Sequence, residues 1–178
     1  MTLEQHPIFD TGLDREHRTI CLFGDIDDDL IQKVLMGFHI LETDGKSPVK
    51  LLINSGGGDY YGGMAIYDYI KSAEFSVYGY AYGTCMSTAS IIMQACSGRY
   101  MSRYATMMVH NGTDGGAEHN VIDYEKWAEH AKQHRSIMAQ IYAERSGKTV
   151  NYWQRKCVHD YIMTAEQAKL EGLIDEII

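Results

Sequence analysis

A serine, a histidine and an aspartate at the borders of apolar runs are the residue types from which a hydrolase builds a nucleophile, its base and the group that orients the base. Ser87 lies in residues 80–90, where a β-rich run ends at Gly83 and an Ala/Ile/Met-rich helical stretch begins near Ser87 itself. A serine at a helix N-terminus is ordinarily a cap. The same place suits a nucleophile, because first-turn amides and the positive end of the helix dipole stabilise the negative charge that follows attack. The hydrolase elbow G-x-S-x-G is excluded, since Cys85 and Ala89 hold its glycine places. Of the eight histidines, His110 alone ends an apolar strand, Thr106-Met107-Met108-Val109-His110, beside a Gly-rich loop. For the acid, Asp160 stands between a helical stretch and Tyr161-Ile162-Met163, and spacing alone does not choose it over Asp123 or Asp175.

A second chemical feature is Ile53-Asn54-Ser55-Gly56-Gly57-Gly58-Asp59, a strand running into three consecutive glycines. Glycine tolerates positive φ and close backbone approach, so the segment is able to present amides to developing negative charge; its plain alternative is a flexible turn. Neither nucleotide-binding glycine pattern is satisfied. Gly147-Lys148-Thr149 resembles the end of a Walker sequence, but Tyr142 occupies the required glycine position, which leaves a helix terminus followed by Thr149 as the next N-cap. His130 and His134 have ligand spacing on a helix, yet no H-E-x-x-H and no third ligand accompany them. A solvated helix face and no metal are expected there.

The elements that must position these residues alternate in period. Strands are expected at residues 19–23, 49–53, 75–81, 105–110 and 173–177, with helices between them, the pattern of a largely parallel α/β sheet. The first helix follows Asp27-Asp28-Asp29 and places Leu30, Val34, Phe38 and Leu41 on one face. Further helices are expected from Gly63 to Ser72, from Ser87 to Ala95 and from Val121 to Arg145. The last has Trp127, Ala131, Met138 and Ile141 or Tyr142 at helical spacing and Gly147 as its stop. Thr164-Ala165-Glu166-Gln167 fits a capping box.

With 178 residues, 45% of them hydrophobic, the chain suits one domain, residues 1–178, with a short N-terminal segment at 1–17. A net charge of -8 argues against nucleic acid as a partner. No apolar run is long enough to span a membrane and the start lacks the makeup of a secretory leader, so a cytoplasmic protein is expected. Cys21, Cys85, Cys96 and Cys157 are widely spaced and read as free thiols of a reducing compartment. Nothing calls for a cofactor.

Taken together the segments resemble the proteolytic subunit of the Clp protease, the ClpP family. Residues 53–58 look like its I-N-S-P-G-G turn, and Gly63-Met64-Ala65-Ile66-Tyr67-Asp68 is similar to the G-M-A-I-Y-D helix that follows. Gly83 with Ser87 matches G-x-x-x-S, Met108-Val109-His110 matches M-I-H, and residues 160–175 resemble the family's C-terminal pattern. The resemblance runs from about residue 18 to the C-terminus. It implies a crotonase-like spiral of ββα units, with residues of about 112–146 forming a projecting handle that pairs subunits. It also implies Ser87 as nucleophile, His110 as base and acid, Asp160 as orienting group, and the amides of Gly58 and Thr88 as oxyanion hole. Peptide or unfolded polypeptide is the implied substrate, bound as an added strand by Gly57, Asn111 and Gly112, with Gly115 and Gly116 giving an open edge.

Departures from the family pattern fall in particular places. Gly56 stands for the usual proline and Thr88 for the usual methionine after the nucleophile, and neither change removes a backbone amide. The aromatic residues that dock an AAA+ unfoldase are replaced by Lys50, Leu52 and Ser72, and an arginine used in ring-to-ring contacts by His159. The expectation is a divergent, phage-like serine endopeptidase in heptameric rings, single or stacked as a tetradecamer, whose unfoldase docking differs from the family's. A catalytically silent ring subunit and a crotonase-type acyl-CoA enzyme are the alternatives that the same fold would host.

Overall fold

The computed structural model describes residues 8–112 and 121–178; Gly115 and Gly116 lie outside the described residues. Its elements are α1 (Ile8–Thr11), β1 (Leu13–Asp14), β2 (Thr19–Ile26), α2 (Asp28–Thr43), β3 (Val49–Gly58), α3 (Tyr60–Ser72), β4 (Val77–Met86), α4 (Thr88–Ala95), β5 (Gly98–Met101), β6 (Thr106–Val109), α5 (Val121–Ser146), α6 (Val150–Lys156), β7 (Tyr161–Thr164), α7 (Ala165–Leu170) and β8 (Glu176–Ile177). The sheet runs β1-β2-β3-β4-β5-β8, and β6 attaches to β4 with β7 beyond it. Strands β2, β3, β4, β5 and β8 are parallel, as βα alternation requires, while β1 and β7 run antiparallel to their neighbours.

Burial alternates along β3, so that Val49, Leu51 and Ile53 enter the core while Lys50 and Asn54 face outward. Phe38 and Leu41 from α2, Ile66 from α3, and Ile91 and Ile92 from α4 close over that inner face. Each such fully buried aliphatic side chain contributes roughly 1.5–3 kcal/mol relative to exposure. The expected caps are present: Asp27 accepts from Leu30 N, Thr149 from Tyr152 N, and Thr164 with Gln167 completes a capping box. The four cysteines are free thiols. Among the described residues no helix is long and apolar enough to cross a membrane.

Several boundaries differ from the sequence expectation. Helix α3 starts at Tyr60 rather than Gly63, because Asp59 caps it through Gly62 N at 2.6 Å. Its two glycines, poor helix formers, are retained because a Cβ at Gly62 would overlap Ile31 and one at Gly63 would overlap Thr88. Strand β4 begins at Val77 and continues past Gly83 to Met86, since it changes partner midway: residues 78–81 pair with β5 and residues 84–86 with β6. The last expected strand shrinks to Glu176–Ile177, and β5 and β7 were not expected as strands.

The long helix α5 holds 26 residues, about 39 Å at the α-helical rise. Among the described residues its C-terminal part is the most deeply buried. Met138, Ala139, Ile141 and Tyr142 are buried, whereas Trp127, expected on the apolar face, is 42% exposed. His130 and His134 are partly buried on this otherwise largely exposed stretch. They pack against each other with ring centroids 4.0 Å apart, and His134 stacks on Tyr60 at 4.4 Å. Trp153 of α6, fully buried, donates its indole N–H to Ser146 Oγ at 2.8 Å and fixes the end of α5.

Candidate active site

Strand register brings the three sequence candidates together. Ser87 follows directly on β4, whose last paired residue, Met86, lies opposite Met108 of β6. The Ser87 N–H donates to the Met108 carbonyl at 2.8 Å, which sets the nucleophile candidate beside the strand that ends at Val109, directly before His110. Strand β7 runs antiparallel to β6 with Tyr161 opposite Val109. Stepping one residue along each strand sets Asp160 facing His110.

The side chains then meet in line. His110 Nε2 is 2.7 Å from Ser87 Oγ, and His110 Nδ1 is 3.1 Å from Asp160 Oδ1. The His110 side chain is 20% exposed and that of Asp160 62% exposed. Of the aspartates that spacing left open, Asp175 pairs with Arg99, and Asp123 at the start of α5 lies 3.5 Å from Lys126.

Ser87 occupies the N-cap position of α4 but its side chain makes no cap hydrogen bond. The ordinary explanation for a serine at this place therefore does not hold, and the hydroxyl is turned toward His110. Its backbone is at φ 51°, ψ -125°, a region that side-chain-bearing residues seldom enter. Such strain persists only where surrounding structure enforces it. Cys85, two residues earlier, is fully buried, and burial pushes its thiol pKa up, so no thiolate forms there.

The glycine segment approaches the same point. Residues 56–58, expected as a turn, belong to β3, and the ladder to β4 shifts register between Ile53 and Ser55. Asn54, quoted in the glycine motif but given no role from sequence, stabilises that shift: its Oδ1 accepts from Thr84 N at 3.1 Å and Thr84 Oγ1 at 3.2 Å. Gly83, at φ 67°, leaves the space that the Asn54 side chain fills. Gly57, at φ 101°, is pressed so closely on the serine that a Cβ would sit 2.7 Å from Ser87 Cβ and 3.1 Å from Thr88 N. Gly57 N–H donates to Ser55 Oγ at 3.1 Å, and the Gly58 carbonyl accepts from Thr88 Oγ1 at 3.0 Å. Gly57 thus packs on Ser87, and Gly58 is tied to Thr88, the first residue of α4.

Of the expected strand-binding residues, Asn111 donates its N–H to the Cys157 carbonyl at 2.8 Å, and Gly112 takes φ 75°. The flank of Asp160 is braced as well. Tyr161 and Tyr152 donate to Glu171 at 2.7 and 2.8 Å, and Lys148 pairs with it at 3.2 Å. Burial would raise the Glu171 pKa, but these hydrogen bonds and the lysine charge outweigh it and hold the carboxyl below its ordinary range.

The profile of the Clp protease family matches residues 10–178. The chain belongs to the Clp protease family. Among solved structures this Clp protease is similar to a mutant of ClpP1 from Listeria monocytogenes, with a TM-score of 0.85, 24% sequence identity, and 92% of each chain covered. That likeness establishes the ClpP fold, and membership of the family makes this a peptidase of the ClpP type.

Proposed function

We propose that this Clp protease is a serine endopeptidase whose nucleophile is Ser87, whose general base and acid is His110, and whose orienting group is Asp160. The observation that carries the reading is the 2.7 Å contact between His110 Nε2 and Ser87 Oγ, made by a serine that fills a cap position without capping. His110 Nε2 takes the hydroxyl proton as Ser87 Oγ attacks the scissile carbonyl; Asp160 holds the N–H on Nδ1 and stabilises the imidazolium. The oxyanion is received by the amides of Gly58 and Thr88, at the N-terminal end of α4. His110 then protonates the leaving amine, the acyl-enzyme forms, and a water activated by the same imidazole releases the second product.

Substrate is unfolded polypeptide or peptide, held through its main chain beside Gly57, Asn111 and Gly112. Exposed apolar side chains near Asp160, namely Val158 at 59% and Ile162 at 60%, support assembly with further copies into ring chambers. The test is covalent labelling by a fluorophosphonate together with turnover of a small fluorogenic peptide. Wild-type protein is expected to label and cleave, and Ser87→Ala to do neither. A folded wild-type chain that does neither refutes the assignment and leaves a silent ring subunit. Native mass measurement tests the ring, which a monomer at working concentration would exclude.

A further inference from the structure

Beneath Ser87 lies a buried hydroxyl pair with no part in the triad. Ser90, on the first turn of α4, and Tyr142, on the anchored end of α5, are 0% and 1% exposed. Ser90 Oγ is 2.6 Å from the Ser87 carbonyl oxygen and 2.8 Å from Tyr142 Oη. A serine hydroxyl has one proton, and a carbonyl only accepts. Ser90 therefore donates to Ser87 O, and Tyr142 must donate to Ser90. The same carbonyl also accepts the Ser90 N–H at 2.9 Å.

The Ser87 carbonyl shares a peptide plane with the Thr88 N–H, and in a trans peptide the two point in opposite directions. Whatever holds that carbonyl also aims that amide. Hydrogen bonds in a chain polarise one another, so a peptide whose oxygen accepts from a hydroxyl that is itself an acceptor becomes a stronger N–H donor.

We propose that Ser90 and Tyr142 are positioning residues of the oxyanion site, acting as a relay Tyr142 O–H to Ser90 O–H to Ser87 C=O that orients and strengthens the Thr88 N–H. The inference rests on the reading of the Thr88 amide as an oxyanion donor. Burial drives the Tyr142 pKa far up, so the hydroxyl stays a donor at every pH where a peptidase would be assayed. Removing it should not reshape a pH profile. The relay also joins the long helix α5 to the peptide that follows the nucleophile, over 52 residues of sequence separation.

Tyr142→Phe removes one oxygen and keeps the ring, which packs on Trp153 at 5.4 Å. Full-length wild-type, Tyr142→Phe, Ser90→Ala and doubly substituted proteins are compared in peptide turnover and fluorophosphonate labelling. Losing one oxyanion donor outright costs about 100- to 1,000-fold; weakening its aim should cost a fraction of that, about 3-fold in kcat for Tyr142→Phe and about 10-fold for Ser90→Ala. KM is unchanged, the pH profile keeps its shape, and the double variant is no slower than Ser90→Ala. The Thr88 amide proton, followed by NMR in all variants, moves upfield as its peptide loses the polarisation supplied through the Ser87 carbonyl. Wild-type kcat in Tyr142→Phe, losses that multiply in the double, or an unmoved Thr88 amide overturns the relay. Failure of wild-type protein to label at Ser87 overturns the underlying serine assignment instead, and the relay with it. Ser90→Ala leaves a buried tyrosine hydroxyl without its partner and is the variant at risk of misfolding; Tyr142→Phe alone suffices to decide.

Discussion

Replacing Ser87 by glycine should make the protein more stable than replacing it by alanine, the reverse of the usual order. Both variants lose the hydroxyl and its bond to His110, so that loss cancels in the comparison. What remains is the backbone at φ 51°, ψ -125°. Holding a side-chain-bearing residue in so sparsely populated a region costs about 1–3 kcal/mol. Against this, glycine's freedom in the unfolded chain costs about 0.5–1 kcal/mol relative to alanine. The net is about 1 kcal/mol in favour of Ser87→Gly, which for a chain of this length corresponds to about 2–4 °C in thermal midpoint. Differential scanning fluorimetry and urea titration at one matched protein concentration would measure it, since assembly makes any midpoint concentration-dependent. Neither variant should label with a fluorophosphonate. An alanine variant as stable as the glycine variant, or more so, would mean that Ser87 carries no strain and that its geometry is not enforced by its neighbours.

Three further outcomes are expected. Asp160→Asn should keep the fold but lower kcat by about 10⁴ through the wrong imidazole tautomer, read in the fluorogenic peptide assay. Gly57→Ala should abolish most turnover with little loss of secondary structure by circular dichroism, because its Cβ would lie 2.7 Å from Ser87 Cβ and 2.9 Å from the Met86 carbonyl oxygen. Glu171 has a pKa lowered in the folded protein, so its stabilisation is complete above the ordinary value of 4.5 and is lost as pH falls below that value. Glu171→Gln should therefore be less stable at neutral pH, and its thermal midpoint should fall less steeply than wild type's between about pH 5 and pH 3.

The alternation of β-rich and helical runs made the parallel α/β core readable in advance, because hydrophobic period reports which face of an element is buried. From spacing alone the triad candidates were readable only as chain positions; their roles came with the family resemblance. Nothing in the spacing of Asp123, Asp160 and Asp175 says that β7 pairs with β6, and this pairing is what singles out Asp160. β7 is four residues with burial pattern intermediate, exposed, buried, exposed, too short to announce itself by periodicity. The glycine motif was visible but its conformation was not, since β3 continues through glycines that local propensity would assign to a turn; the pairing of Gly57 and Gly58 with Asp25 and Ile26 outweighs that propensity. The meeting of Ser90 with Tyr142 left no mark in the sequence, where one is a further small residue and the other a further aromatic on two apolar faces.

The shortness of β6 has its own consequence. Four residues, Thr106–Val109, hang between β4 and β7; they hold Ser87 through Met108, lead into His110 and align Asp160 through β7. A local opening of this ribbon, involving far less buried surface than global unfolding, would separate all three groups at once. The site thus has a stability of its own, smaller than that of the core. Along a rising urea gradient, catalytic competence would vanish as a unit while α2, α3 and the β2–β3–β4 core still hold, so the protein would pass through a folded but disarmed state before it melts.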